Sequence, residues 1–390
     1  MTPAARIQAA IEILDEVIAA ARNRGAPADR IFSEWFRSRR FAGSGDRRAV
    51  RDLVYGAIRA CGDVPASGRA AMVRLAQGDP ALLALFDGSR HAPQPIGTDD
   101  VPARGGVAPV WLETSLTDSG LHADEQASLL ERAPLDIRIN SLKANLAQLP
   151  EVGMPTLAPH GLRFAPNTGV EQWDAFQAGA IEVQDAGSQI VCEAVGARPG
   201  ETIVDLCAGA GGKTLALAAK MDNRGCLLAC DADRARLSRL LPRAHRAGVS
   251  IVETRLLDGG READALADYF SRADAVLVDA PCSGTGTWRR NPEARWRLSQ
   301  PEMGRLVDLQ SRLLDLAATL VRPGGRLIHV VCSLLDAEGA DQIEAFLGRK
   351  PGWRPVALSL PAGRPRGAGV RLTPLHDGTD GFFVATLERL

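Results

Sequence analysis

Two cysteines and a series of strand-end carboxylates are the residues of this chain best suited to chemistry. Cys282 stands in Asp279-Ala280-Pro281-Cys282-Ser283-Gly284-Thr285-Gly286, and Cys332 closes His329-Val330-Val331-Cys332-Ser333. They lie fifty positions apart, yet each leaves the carboxyl end of an apolar, strand-like run, so adjacent strands would turn both thiols into one cleft. A buried cysteine usually packs as a small hydrophobe, and Cys192, Cys226 and Cys230 fit that description. A Pro-Cys-Ser-Gly turn and a Cys-Ser strand end fit it poorly, which leaves Cys282 and Cys332 as candidates for covalent work.

A second cluster is the glycine-rich turn Asp205-Leu206-Cys207-Ala208-Gly209-Ala210-Gly211-Gly212-Lys213-Thr214, between the strand Ile203-Val204 and a helix over 215–220. Glycines let a backbone approach a ligand, and a helix N-terminus offers free N–H groups. A phosphate loop would need glycine where Cys207 stands, and a dinucleotide fingerprint would need glycine where Thr214 stands, so both patterns fail. Asp231, 26 positions after Asp205, ends the next strand and is placed to accept from ribose hydroxyls. Asp258 and Asp279 end the third and fourth strands. Four acids around one turn would repel a triphosphate without metal and suit a cationic ligand such as S-adenosylmethionine. Taken singly, each aspartate has a simpler account as a helix cap, and the turn as a tight turn without a ligand. Lys213 either steadies the cleft charge and favours a thiolate or is a solvated lysine at a helix start.

The elements that must position these residues follow from periodicity. Ile7, Ile11, Leu14, Val17 and Ile18 recur at helical spacing within 4–23, a second helix is expected from Ala28 to Arg40, and a third follows Gly45 with Asp46 as its cap and Val50, Leu53, Val54 and Ile58 inward. Another is expected from Gly68 to Phe86, and residues 88–107 read as a linker. Short helices (Trp111 to Leu116, Asp124 to Arg132) then alternate with strand-like stretches such as 136–140, a small α+β subdomain. From Gly187 onward the pattern is apolar strand, turn, helix, repeated, with GFFVATLERL as a last strand; this implies a mostly parallel sheet.

The chain has 390 residues, 45% apolar and 24% charged, enough for two or three domains and unlike a disulfide miniprotein or a disordered chain. Seven scattered cysteines (Cys61 and Cys207 complete the set) show no zinc-ligand spacing, so reduced thiols and no metal are expected. No apolar run reaches membrane-span length, and the N-terminus lacks a signal-peptide pattern; a cytoplasmic, monomeric protein is expected. Net charge is −1, from 46 basic and 47 acidic residues, and 42 of the basic residues are arginine, which a GC-rich genome would favour. Residues 1–60 hold eleven arginines against seven acids, so this stretch is basic although the whole is not. Residues 288–297, WRRNPEARWR, carry four arginines and two tryptophans, a composition that suits phosphate contact with base stacking, or else a helix with a basic face and core tryptophans.

Residues 181–390 resemble the RsmB/Sun (Nop/Sun) family of RNA cytosine-5 methyltransferases, through DLCAGAGGKT, DAPCSGTG and VCSLLDAEGADQIEAFL. Arg138-Ile139-Asn140-Ser141-Leu142-Lys143 and Val183-Gln184-Asp185-Ala186-Gly187-Ser188-Gln189 resemble its substrate-side elements, and GDRRAVRDLVYGAIR its NusB-like domain. The resemblance implies an α/β fold: a class I Rossmann-like methyltransferase with a mostly parallel seven-stranded sheet (177–390), preceded by the small subdomain (106–176) and a helical NusB-like RNA-binding domain with linker (1–105). It implies S-adenosylmethionine held by Cys207, Ala208, Gly209, Ala210, Gly211, Gly212 and Lys213, with Asp231 on the ribose, Asp258 on the adenine amino group and Asp279 beside them.

Cytosine C5 has no lone pair to offer, so a nucleophile must first add to C6. By resemblance Cys332 is that nucleophile, Cys282 assists release, and Asp279 meets the N3 edge of the base. The implied substrate is an unpaired or flipped cytosine in RNA, chiefly small-subunit ribosomal RNA. Transfer RNA is the rival substrate, and an inactive assembly factor of the same fold the rival class. An N-methyltransferase would show Asn/Asp-Pro-Pro-Tyr/Phe where Asp279-Ala-Pro-Cys stands. The chain departs from the family at Ala210, commonly proline, and after Cys332-Ser333, where Glu338-Gly339-Ala340 replaces Glu-Asn-Glu. With both cysteines in place, activity is expected.

Overall fold

The structure, a computed structural model, describes residues 1–39, 41–146 and 148–390. They form two compact units, Met1–Glu131 with Thr287–Ser299, and Arg132–Gly286 with Gln300–Leu390. Among the described residues no helix is long and apolar enough to cross a membrane.

The first unit is helical. Helices Pro3–Arg22, Ala28–Arg37, Ser44–Ala60 and Gly68–Ala76 bury one core that includes Ile7, Leu14, Val17, Trp35, Val54, Ile58 and Met72. The second helix ends three residues before the expected Arg40, which lies outside the described residues. The third begins at Ser44, so Asp46 is its third residue and not its cap; the carboxylate reaches back to Gly43 N at 3.3 Å and pairs with Arg6. The expected helix from Gly68 to Phe86 breaks at Ala76, because Gly78 and Pro80 interrupt it, and a four-residue turn of helix follows at Pro80–Leu83. The expected linker is tied down: Arg69 grips Asp100 at 2.6 Å, and Ala103 N donates to Ala70 O. Helices Val110–Asp118 and Ala123–Ser128 complete this unit.

The WRRNPEARWR stretch has a packing role that excludes base stacking by its tryptophans. Trp288 is fully buried, and Trp296 joins the helical core. Glu293 Oε1 accepts from Ala28 N at 3.1 Å and so caps the second helix. Arg295 is fully buried; its guanidinium donates to the carbonyls of Pro292, Ile58 (2.6 Å) and Cys61 (2.7 Å), the last two where the third helix ends. Arg297 donates to Gly25 O and Ala26 O at 2.8 and 2.7 Å. These arginines satisfy backbone carbonyls. The composition suggested nucleic-acid contact because charge and aromatic content look alike in both roles.

The second unit holds two sheets. Strands β1 (Leu135–Ile139), β2 (Met154–Pro155), β3 (Gly161–Phe164) and β4 (Ile181–Val183) form an antiparallel sheet in the order β2-β3-β1-β4, with Ile137, Phe164, Trp173 and Ile181 beneath it. The large sheet contains β5 (Thr202–Asp205), β6 (Cys226–Asp231), β7 (Val252–Leu256), β8 (Ala273–Asp279) and β9 (Val321–Val331), all parallel, then β10 (Trp353–Val356), β11 (Arg364–Arg366), β12 (Gly369–Leu372) and β13 (Phe382–Arg389), antiparallel. Its order is β11-β12-β13-β9-β8-β5-β6-β7, with β10 also paired to β13. The sheet thus has nine strands where seven were expected, since the region after Gly352 adds strands short enough to read as loop. From β5 the chain runs outward through β6 and β7, then returns to place β8 on the other side of β5. That reversal opens a crevice beyond the carboxyl ends of β5 and β8, where open α/β sheets take their ligands.

Arg295→Ala should lower the stability of the helical unit by about 3 kcal/mol, because three buried carbonyls lose their donor. Urea unfolding followed by circular dichroism measures it, and a midpoint equal to wild type would refute the structural role of this arginine.

Candidate active site

The glycine-rich turn is built by sterics and by Asp231. Gly209 and Gly211 have φ of +56° and +88°, and a Cβ on Gly211 would fall 2.7 Å from Leu240 Cγ. Asp231, at the end of β6, accepts from Gly209 N through Oδ2 and from Asp233 N through Oδ1, both at 2.7 Å. Ala210, where the family's proline is missing, has its carbonyl held by Arg243 Nη1 at 2.7 Å, and Arg243 is itself paired with Glu182. The external guanidinium restrains the turn where a pyrrolidine ring would have done so internally.

Asp205 is fully buried at the end of β5, with Thr214 Oγ1 donating to its Oδ2 at 2.7 Å. Burial pushes its carboxyl up to about 7; the Thr214 hydrogen bond opposes this, and the charge of Asp279 adds to it. Lys213, at the start of the helix Gly212–Lys220, donates to Asp279 Oδ2 at 2.7 Å. Burial pulls the ammonium down, but the Asp279 carboxylate beside it outweighs this and holds Lys213 above its usual range. Asp279 Oδ1 meets no protein donor among the described residues.

The two thiols meet. Asp279 on β8 pairs with Val330 on β9, and just beyond these positions Cys282 Sγ and Cys332 Sγ stand 3.4 Å apart. The Cys282 thiol is held well above the usual thiol range, first by its hydrogen-bond contact with Cys332, then by burial and by the nearby Glu338 carboxylate. Burial, then Asp279, Asp205 and Asp231, likewise push Cys207 upward.

Cys207, Asp231, Asp279, Cys282 and Cys332 line one cleft of about 400 Å³, within the roughly 300–1,000 Å³ of small-molecule sites. Ala208, Gly209, Ala210, Gly211, Gly212 and Lys213 follow Cys207 in the same turn and do not line it. Asp258 is exposed and also off the lining; its neighbour Leu257 lines the cleft instead. Sequence reasoning missed Glu262 and Arg312, which pair at 2.7 Å on the wall, and Leu309 and Leu313 from the helix Gln300–Leu320. The spacing of Leu309, Arg312 and Leu313 marks one helix face, the only sequence signal they carried. Arg138 and Gln184, from the substrate-side motifs, lie outside the cleft and bond to each other at 2.8 Å.

Residues 193–388 match the family model described as 16S rRNA methyltransferase RsmB/F. The chain is 36% identical over 269 residues to a Synechocystis protein named probable ribosomal RNA small subunit methyltransferase B, covering 65% of this chain and 60% of that protein. It is 37% identical over 234 residues to the Thermus thermophilus ribosomal RNA small subunit methyltransferase B, covering 59% and 56%. The chain thus spans about three fifths of the length of these curated relatives. Among solved structures, the protein PH0851 superposes with a TM-score of 0.73 at 24% identity over 100% of this chain and 99% of its own. A methyltransferase homolog from Pyrococcus horikoshii gives 0.60 at 25% identity over 73% of this chain and 100% of its own.

Asp205 makes stability depend on pH. Its folded-state value lies above that of the unfolded chain, so between about pH 4 and 7 the native state binds the extra proton and stability falls as pH rises, by up to about 1.4 kcal/mol per pH unit from this group. Urea midpoints from pH 4 to 8 should show a decline through this window that Asp205→Asn flattens; parallel profiles for the two proteins would contradict it.

Proposed function

Because the chain belongs to the RsmB/F family of rRNA methyltransferases, we propose that it transfers a methyl group from S-adenosylmethionine to C5 of a cytosine in small-subunit ribosomal RNA. The observation that carries the reading is the pair of thiols 3.4 Å apart beside the Lys213–Asp279 ion pair in a cleft rimmed with carboxylates.

The cleft suits the cofactor: Asp231 and Asp279 are acidic and its walls include Leu257, Leu309 and Leu313, matching a cation with an adenosine end. Asp231 keeps a lone pair on each oxygen for ribose hydroxyls while its N–H contacts hold the turn. Asp258 reaches the adenine amino group only if its exposed loop moves inward. The cofactor supplies an electrophilic methyl group.

The chain's residues make C5 able to accept that methyl group. Cys332 Sγ forms a bond to C6, and the electrons of the C5–C6 double bond pass to C5, which attacks the methyl carbon. The proton that Cys332 gives up as it adds passes through the open oxygen, Asp279 Oδ1, to N3, where addition places charge, and it returns to Cys332 on release. Release needs the C5 proton to leave to solvent while the C6–S bond breaks and the double bond re-forms. Cys282, a neutral thiol 3.4 Å away, hydrogen-bonds the departing Cys332 sulfur as negative charge develops on it, and that sulfur then recovers its proton. One thiol thus works as nucleophile and the other as a hydrogen-bond donor to it during release.

Wild type, Cys332→Ala and Cys282→Ala, each incubated with unmodified small-subunit rRNA and methyl-labelled S-adenosylmethionine, test the reading. Cys332→Ala should transfer no label and form no adduct, whereas Cys282→Ala should accumulate a protein–RNA species that survives denaturation. Full transfer by Cys332→Ala would refute the assignment.

A further inference from the structure

Beneath the two thiols lies a buried polar cluster to which no step above assigns a role. Glu338 is fully buried in the loop after β9, and among the described residues no lysine or arginine pairs with it. Its Oε1 accepts from Ser283 N at 2.8 Å and from Gln310 Nε2 at 3.0 Å, and its Oε2 accepts from the Ser283 hydroxyl. Gln310 Nε2 also donates to Pro281 O at 2.9 Å, so the residues on both sides of Cys282 are held by one carboxylate–amide pair. The same cluster reaches the Cys332 strand end. Ser283 Oγ lies 3.1 Å from Ser333 Oγ, which lies 3.1 Å from Thr285 Oγ1, while Leu334 N donates to Thr285 Oγ1 and Gly286 N to Cys332 O. His329, fully buried, is kept neutral by desolvation, with its value lowered to about 4, and its Nε2 lies 2.9 Å from Glu338 O. The loop carrying Glu338 is therefore anchored to β9 at its own backbone.

A carboxylate buried without a cation is expensive unless its lone pairs are filled, and hydrophobic packing of equal volume would cost less. Its position gives a reason other than stability: it bonds to the Cys282 turn and reaches the Cys332 strand end through Ser283. Resting on the two-thiol reading, we propose that Glu338 is a positioning residue for the release step, fixing the Pro281–Ser283 turn so that the Cys282 thiol stays aimed at the Cys332 sulfur. Gln310 is its partner in that role. Addition to C6 needs only Cys332, which the β9 backbone holds, so a loosened Cys282 turn affects release far more than attack.

Single-turnover reactions on unmodified small-subunit rRNA separate the two steps, with formation and decay of the denaturant-stable protein–RNA species followed in wild type, Glu338→Ala, Glu338→Gln and Cys282→Ala. Glu338→Ala should form the species within about threefold of the wild-type rate and release it about tenfold more slowly, the penalty of a misaimed group. Glu338→Gln keeps the shape and one acceptor oxygen and should fall between the two. Equal slowing of formation and release would mark Glu338 as structural only, and release at the wild-type rate would overturn the proposal. Should Glu338→Ala lose its thermal transition, Glu338→Gln decides: wild-type release by a folded Glu338→Gln overturns the proposal equally. Failure of the underlying chemistry has a separate signature. A wild type that forms no covalent species on RNA carrying 5-fluorocytidine, where elimination is blocked, would remove the thiol mechanism and this role with it.

Discussion

The register between β8 and β9 is the constraint on which the site depends. Parallel pairing sets Asp279 opposite Val330, so residues fifty apart in sequence end on the same edge with their following turns side by side. A slip of one residue would exchange the faces of every side chain on β9 and drive Val330 and Val331, which pack into different cores, each into the other's side of the sheet. The fully buried run on both strands therefore sets the thiol-to-thiol distance long before any catalytic group is considered. Hydrophobic burial specifies the register, and the polar cluster around Glu338 refines it.

On the other side of β8, the same logic places Asp205. β5 pairs with β8, so a buried carboxylate and Asp279 approach each other at the crevice, and their repulsion is part of why Asp205 holds its proton so tightly. Lys213 relieves this locally by binding Asp279, while Thr214 satisfies one oxygen of Asp205. Successive residues at one helix start thus meet two neighbouring acids differently: Lys213 gives Asp279 an ammonium, and Thr214 gives Asp205 only a hydroxyl.

The parts of this arrangement legible in the sequence were those with local signatures. Alternating apolar strands and helices predicted the parallel core, and strand-end placement brought Cys282, Cys332, Asp231 and Asp279 together, because residues leaving the same edge of a sheet must share it. Asp258 did not follow, since a strand end specifies an edge and not the direction of an exposed loop side chain. Arg312 and Glu262 were invisible because their contact joins segments fifty residues apart through one side-chain rotamer each. Ala210 illustrates a substitution whose compensation lies elsewhere: Arg243 restrains the turn from outside, and no local pattern announces that. Glu338 was noticed only as the remainder of an incomplete motif, while its burial and its partners come from tertiary packing.

Arginine content was the feature most open to misreading. With 42 arginines against four lysines, the chain seemed to present stretches suited to phosphate, yet Arg295, Arg297 and Arg243 direct their guanidinium groups at main-chain carbonyls. The planar fork explains the preference: two donors at fixed angles can serve two carbonyls at once, as Arg295 does at Ile58 and Cys61, and a lysine ammonium on its flexible stem cannot do so with equal economy of order. Many further arginines pair with acids, among them Arg6 with Asp46 and Arg51 with Asp29 in the helical unit. Positive charge committed in this way is not available to a polyanion. Near-neutral net charge and arginines held by internal partners both reduce the bulk attraction the chain exerts on a polyanion.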